Sequence, residues 1–200
     1  MENLAHTTLP IHELLQRRWS PRAFSEKLID PETLTRLFEA ARWSPSWRND
    51  QPWRFIVATR GNETEFQKMF ACLKPGNQHW AGKAAALVAV VTKLQYGHHE
   101  EPNPTTYYDA GQAIAHLTVE AMNNDLYVHQ MGGVDRPKIR EIYGIPAEYN
   151  PIVVIAIGYL GQIEDLAEDI QQRERRERVR KPLDEIVFSG EWENPADLAD

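Results

Sequence analysis

Two uninterrupted apolar runs, AAALVAVV at 84 to 91 and IVVIAIGYL at 152 to 160, constrain this chain more than any other feature. Both are far shorter than the roughly 20 residues a spanning helix needs, so they are read as buried strands and no membrane partner is expected. Between them, from Tyr107 to Asn124, Ala110, Ala113, Ile114, Leu117 and Ala121 form a small-residue helical stripe suited to packing at the centre of a fold. Gly111 weakens that helix by about 1 kcal/mol relative to alanine, and its bare backbone suits the approach of another backbone or a flat ligand.

The remaining periodicity supplies the other elements. Ile11, Leu14 and Leu15 mark a first helix that ends near RRWSPR, where Pro21 disfavours helix at Ser20. In DPETLTRLFEAARWS, Asp30 can cap, Pro31 suits the first helical position, and Leu34, Leu37, Phe38 and Ala41 share a face. RFIVAT (54 to 59) reads as a strand. Phe66, Met69, Phe70 and Leu73 read as a helix closed by Pro75 and Gly76. HHEEPNPTT (98 to 106) reads as a loop, LYVHQMGG (126 to 133) as a short strand ending in a glycine pair, and DRPKIREIY (135 to 143) as a capped helix. Ile163, Leu166 and Ile170 continue a helical stripe into the charge run RERRERVRK. Strands alternate with helices, so the class is α/β or α+β. A length of 200 residues suits one domain with one core.

Several function classes are disfavoured. The net charge of −7 opposes non-specific attraction to nucleic acid. Cys72 stands alone, which rules out an intrachain disulfide and fits a reducing compartment. The N-terminus shows no secretion signal, so a cytoplasmic location is expected. His98 and His99 are the one adjacent histidine pair and lie outside any HExxH pattern, so no metal site is expected; GxSxG, GxGxxG and GKS or GKT motifs are absent.

Three polar clusters remain. RRWSPR gathers Arg17, Arg18, Ser20 and Arg22, a set that could fork hydrogen bonds to a phosphate or could be a solvated helix end. Arg178, Arg180 and Lys181 carry the same two readings, a charge run usually being a solvated face. In PSWRNDQPWRF (45 to 55), Ser46, Asn49 and Gln51 lie between two prolines with Trp47 and Trp53. The amides match a heterocycle with alternating carbonyl and N–H groups, while the tryptophans could stack on it or fill core. Together with the arginines, these features make a phosphorylated aromatic cofactor plausible.

RRWSPRAF, EAARWSPSWRNDQPWRFIV, GNQHWAGKAAALVAV, YYDAGQAIAHLTVEA, HQMGG, IAIGYLG and RVRKPLDEIV, in this order, resemble the nitroreductase family of FMN-dependent oxidoreductases. RxSxR alone is weak; RxSxR followed by PSxxNxQPW is strong. The likeness spans about residues 11 to 188 of a single domain and leaves 189 to 200 as a tail. It implies an α+β fold with a central, mainly antiparallel sheet flanked by helices, in an intertwined homodimer with FMN at the interface.

By that resemblance, Arg18 and Ser20 would hold the phosphate and ribityl end, and Arg22 would lie near the N1 and O2 edge of the ring. Pro45, Ser46, Trp47 and Asn49 would come from the other chain to cover the ring. Asn77 would place an amide near the pyrimidine, or be only a turn residue. Gln130, Met131 and Gly132 would pass the N5 side, and Arg178 and Arg180 would form a basic pair at the phosphate. The implied chemistry is ping-pong hydride transfer from NADH or NADPH through flavin N5 to a nitroaromatic, quinone or related small acceptor, with no protein acid or base required. Trp80 stands where some relatives carry a nearby lysine, and Trp47 is bulkier than the residues often found in its loop, so both are candidates to narrow the substrate space. Two rival readings stay open: a flavin-binding or storage protein, or family branch with other chemistry such as dehalogenation, and a non-catalytic dimeric interaction protein.

Overall fold

The computed structural model describes residues 3–97 and 101–198; His98 and His99 lie outside the described residues. Along the chain come α1 (Glu13–Arg17), α2 (Pro31–Arg42), β1 (Trp53–Thr59), α3 (Glu63–Phe70), α4 (Pro75–Ala81), β2 (Ala86–Lys93), α5 (Thr106–Asn123), β3 (Tyr127–Met131), α6 (Arg136–Tyr143), β4 (Tyr149–Gly158) and α7 (Glu168–Glu174). The four strands form one sheet in the order β1-β2-β4-β3, and each neighbouring pair is antiparallel. This settles the class as α+β, with helices packed around an antiparallel sheet.

Antiparallel strands commonly alternate between a dry and a wet face. Here both faces of the central strands are covered. Leu87, Ala89, Val154 and Ala156 pack into one cluster with Phe66 and Met69 of α3 and Trp80 of α4. Val88, Val90, Ile155 and Ile157 pack into the other, with Leu37 and Ala41 of α2 and the Ala110, Ala113, Ile114, Leu117, Ala121 stripe of α5. Two-sided burial is why the strands read as continuous apolar runs. The ladder slips once, where Val90 faces Val153 but Val91 faces Pro151. Proline has no N–H for the ladder, which accounts for an irregularity at that point.

Three expectations are adjusted. Pro75 does more than close α3, because it starts α4 at a position where its missing N–H costs nothing. The stripe from Ile163 to Ile170 is not one helix: a 3-10 turn at Ile163–Asp165 is followed by extended backbone at Leu166 and Ala167 before α7. Gly111 lies on the exposed side of α5, and a Cβ there would meet nothing within 4 Å. Within this chain, close packing is therefore done by the alanines.

Gly161 fixes how the N-terminal segment meets the sheet. Phe24 bridges Leu160, Ser25 donates to the Tyr159 carbonyl at 2.9 Å, and Gly161 donates to the Ala23 carbonyl at 2.9 Å. A Cβ on Gly161 would lie 2.5 Å from the Phe24 carbonyl carbon and oxygen, so this approach requires glycine. The RRWSPRAF segment is thereby seated beside the end of β4.

Candidate functional site

Successive anchors hold RRWSPR, and each leaves a different side chain outward. Arg178 donates through Nη2 to the Arg18 carbonyl at 2.7 Å and through Nη1 to the Gln16 carbonyl at 3.1 Å and to the Asn3 carbonyl. Trp19 is buried edge-on against Tyr127, with ring centroids 6.4 Å apart. His129 of β3 donates from Nδ1 to the Pro21 carbonyl at 2.8 Å. Glu174, at the end of α7, accepts the Arg22 N–H at 2.6 Å and the Ala23 N–H at 3.2 Å, and its other oxygen is 3.4 Å from Arg22 Nη1. Arg17 turns to a different neighbourhood, pairing with Asp125 at 3.1 Å and Glu13 at 3.5 Å.

Arg18, Ser20, Arg22, Arg178 and Arg180 then line one cleft of about 250 Å³, together with Trp19, Arg173, Glu174, Arg176 and Glu177. Arg18 Nη1 points to Ser20 Oγ at 3.4 Å. Burial lowers the Arg18 pKa first, and the charges of Arg178 and Arg180 lower it further; burial and then Arg180 do the same to Arg178. Among the described residues none of these three arginines has a carboxylate ion-pair partner, whereas Arg22 has Glu174. Mutually repelling cations beside a serine hydroxyl suit a bound dianion. Arg18, Arg178 and Arg180 also border a groove of about 830 Å³ whose walls include Leu9, Ile11, Leu15, Pro182 and Leu183.

The 45–51 loop is built at conformational cost. Arg48, Asn49 and Gln51 have φ of 51°, 58° and 49°, left-handed backbone that costs of order 1–3 kcal/mol at each non-glycine residue. Three acceptors hold it: Ser46 Oγ takes the Gln51 N–H at 3.0 Å, buried Asp109 takes the Trp47 N–H at 3.2 Å, and Asp50 takes the Gly97 N–H at 2.6 Å and Asn103 Nδ2 at 3.1 Å. Pro45, Trp47 and Asn49 are exposed and Ser46 is half-buried. None of the four lines the arginine cleft of its own chain. Trp53 is buried core on β1.

Asn77 sits in the first turn of α4 and donates from Nδ2 to the Gly133 carbonyl at 2.9 Å, so it ties α4 to the glycine pair after β3. Gln130 and Gly132 are exposed, while Met131 is buried at the end of β3, where it pairs with Val154. Trp80 does not face a substrate space: it is 5% exposed, with ring centroids 6.2 Å from Phe24 and 4.4 Å from His129. Trp47, 51% exposed, retains access to whatever approaches the loop.

Glu174, Asp109 and His129 escaped the sequence reading. Glu174 lies in the run read as a solvated face yet is 3% exposed. Its signal was a spacing of four from buried Ile170, which puts both on the inner face of α7. Among the described residues no group of three or more His, Cys, Asp or Glu could hold a metal ion, and no helix is long and apolar enough to cross a membrane.

The family profile described as the nitroreductase family matches residues 15–159. A solved oxidoreductase containing FMN is similar at a TM-score of 0.88 and 33% identity, over 96% of this chain and 98% of that one. A nitroreductase family protein from Clostridium difficile 630 shares the fold at a TM-score of 0.71 and 21% identity, over 92% of this chain and all of that one (100%). An uncharacterized 15.4 kDa protein in the ask 5′ region of Mycolicibacterium smegmatis is 37% identical over an alignment of 151 residues that covers 71% of this chain and 99% of that protein. An Archaeoglobus fulgidus protein with the provisional name NADH dehydrogenase/NAD(P)H nitroreductase is 27% identical over 160 residues, covering 78% of this chain and 88% of its own. The antiparallel sheet, the seating of RRWSPRAF against its end and the profile match across most of the sequence agree: this chain belongs to the nitroreductase family.

Proposed function

We propose that the chain is an FMN-dependent oxidoreductase that takes hydride from NADH or NADPH and passes it, in a ping-pong cycle, to a nitroaromatic, quinone or related small acceptor. The observation that carries this reading is the Arg18, Arg178 and Arg180 set, which shares a cleft with Ser20 and has no carboxylate ion-pair partner among the described residues. That donor chemistry fits the phosphate of FMN, and similarity to an oxidoreductase containing FMN supports it. Bound FMN supplies the redox chemistry, as hydride acceptor and then electron donor.

The chain's own residues bind and orient. Arg18 and Ser20 hold the phosphate, and Arg180 adds charge from the C-terminal segment. Arg178 keeps the cradle in shape by holding the Arg18 and Gln16 carbonyls. The backbone of Gln130, Met131 and Gly132, beside the Pro21 turn through the His129 bond, flanks the ring, and Asn77 steadies that segment. Pro45, Ser46, Trp47 and Asn49 cover the cofactor from a second copy of the chain. This homodimer accounts for an exposed, rigidly held loop outside its own chain's cleft and for exposed Leu9, Ile11, Tyr107 and Tyr108.

The test is the visible spectrum of the purified protein before and after anaerobic NADH or NADPH. Flavin bands that bleach and return with a nitroaromatic or quinone support the proposal. A colourless protein that takes up no added FMN overturns it.

A further inference from the structure

The cleft arginines are not equivalent, and one carboxylate makes them so. Glu174 is the last residue of α7 and its side chain is 0% exposed. One of its oxygens accepts two consecutive backbone N–H groups, Arg22 at 2.6 Å and Ala23 at 3.2 Å; the other lies 3.4 Å from Arg22 Nη1. A carboxylate so deep in the protein is sustained by hydrogen-bond and ion-pair partners of this kind. Arg22, half-buried on the cleft wall, therefore brings its own counter-charge, while Arg18, Arg178 and Arg180 have no carboxylate ion-pair partner among the described residues.

We propose that Glu174 is a positioning residue that fixes the Arg22–Ala23 turn and cancels the Arg22 charge, so that the cleft's pull on a phosphate comes from its other arginines, Arg18, Arg178 and Arg180 among them. This rests on the FMN reading above and goes further by assigning a residue that sets cofactor affinity without touching the cofactor. The argument has a consequence opposite in sign to that of a merely structural residue. Glu174→Gln keeps an amide oxygen for the two N–H groups but removes the negative charge, and its NH₂ cannot accept from Arg22. The guanidinium is thus released into the cleft as an added positive charge.

The experiment titrates FMN into apo-protein by quenching of flavin fluorescence, with circular dichroism confirming the fold. Glu174→Gln should bind FMN about tenfold more tightly, the size expected when one extra charge acts on a phosphate dianion at cleft distances in a partly solvated site. Arg22→Gln, which leaves Glu174 uncompensated, should bind about tenfold more weakly by the same argument. The double variant Glu174→Gln/Arg22→Gln, a neutral pair replacing a neutral pair, should return to within about threefold of wild type. A folded Glu174→Gln protein with unchanged or weakened affinity overturns the proposal. If that single variant does not fold, the double variant decides: wild-type-like affinity supports the cancelled pair, and a loss beyond tenfold overturns it. A wild-type protein that binds no FMN overturns the FMN reading and this inference with it, whereas wild-type binding without the opposed shifts overturns only this one.

Discussion

His129 donates its Nδ1 proton to the carbonyl oxygen of Pro21 across 2.8 Å, joining the sheet edge to the turn that bears Ser20 and Arg22. Burial is the main cause that pushes the His129 pKa down to about 4, with the nearby Arg22 charge adding to it and the Pro21 bond opposing it. The ring is therefore neutral at pH 7. An unfolded chain would protonate it near the ordinary value of 6.5, while the folded chain refuses the proton until about 4. Stability should therefore fall as pH drops from 6.5 to 4 and lose no more from this group below that, by roughly 3 kcal/mol in all. Urea unfolding of the apo-protein across that range checks it, and His129→Asn should flatten this part of the profile.

Arg18 and Arg178 should separate binding from folding. Replacing Arg18 with alanine removes a phosphate donor and should weaken FMN binding by about 1.5 to 3 kcal/mol, with little change in the unfolding midpoint. Replacing Arg178 removes three hydrogen bonds to backbone carbonyls and should lower the midpoint as well. Flavin titration and thermal melts on the two variants read the difference.

Two glycines make a paired test of the seating of Phe24. Gly161→Ala would put a methyl group 2.5 Å from backbone that cannot swing away, so a loss of roughly 1–3 kcal/mol or more is expected in urea unfolding. Gly132→Ala meets nothing within 4 Å and should stay within about 0.5 kcal/mol of wild type.

Shared sites across a dimer can be tested by complementation. In the proposed dimer, Arg18→Ala harms the cradle of its own chain, and Asn49→Ala harms the loop offered to the other. Each pure variant should bind FMN weakly. After unfolding and refolding together in equal amounts, half the dimers are mixed and each mixed dimer regains one intact site, about a quarter of all sites. Flavin titration that finds no such recovery would refute the loop's role in trans.

Elements set by local periodicity and punctuation were legible in the sequence. The Asp30 cap and Pro31 mark the start of α2, and the apolar runs mark β2 and β4. Arg18, Ser20, Arg178 and Arg180 were nominated by residue type, and the fold brings them to one cleft from opposite ends of the chain. What each arginine does there was not legible, because it depends on partners far away in sequence. Arg178 is occupied with carbonyls, Arg22 with a glutamate hidden in a charge run, and Arg17 with Asp125. Trp80 could not be assigned to core rather than site without its ring contacts to His129 and Phe24.

The bonds from Glu174 to Arg22 and from Arg178 to Arg18 link residues 152 and 160 positions apart. Loops of that length close late, after the local helices have formed. During synthesis, the first strands and helices can therefore assemble while the cradle is still incomplete. If this cleft is the cofactor's cradle, as proposed, capture must wait until the chain has been made past Arg178, so a chain interrupted before that residue would be left colourless.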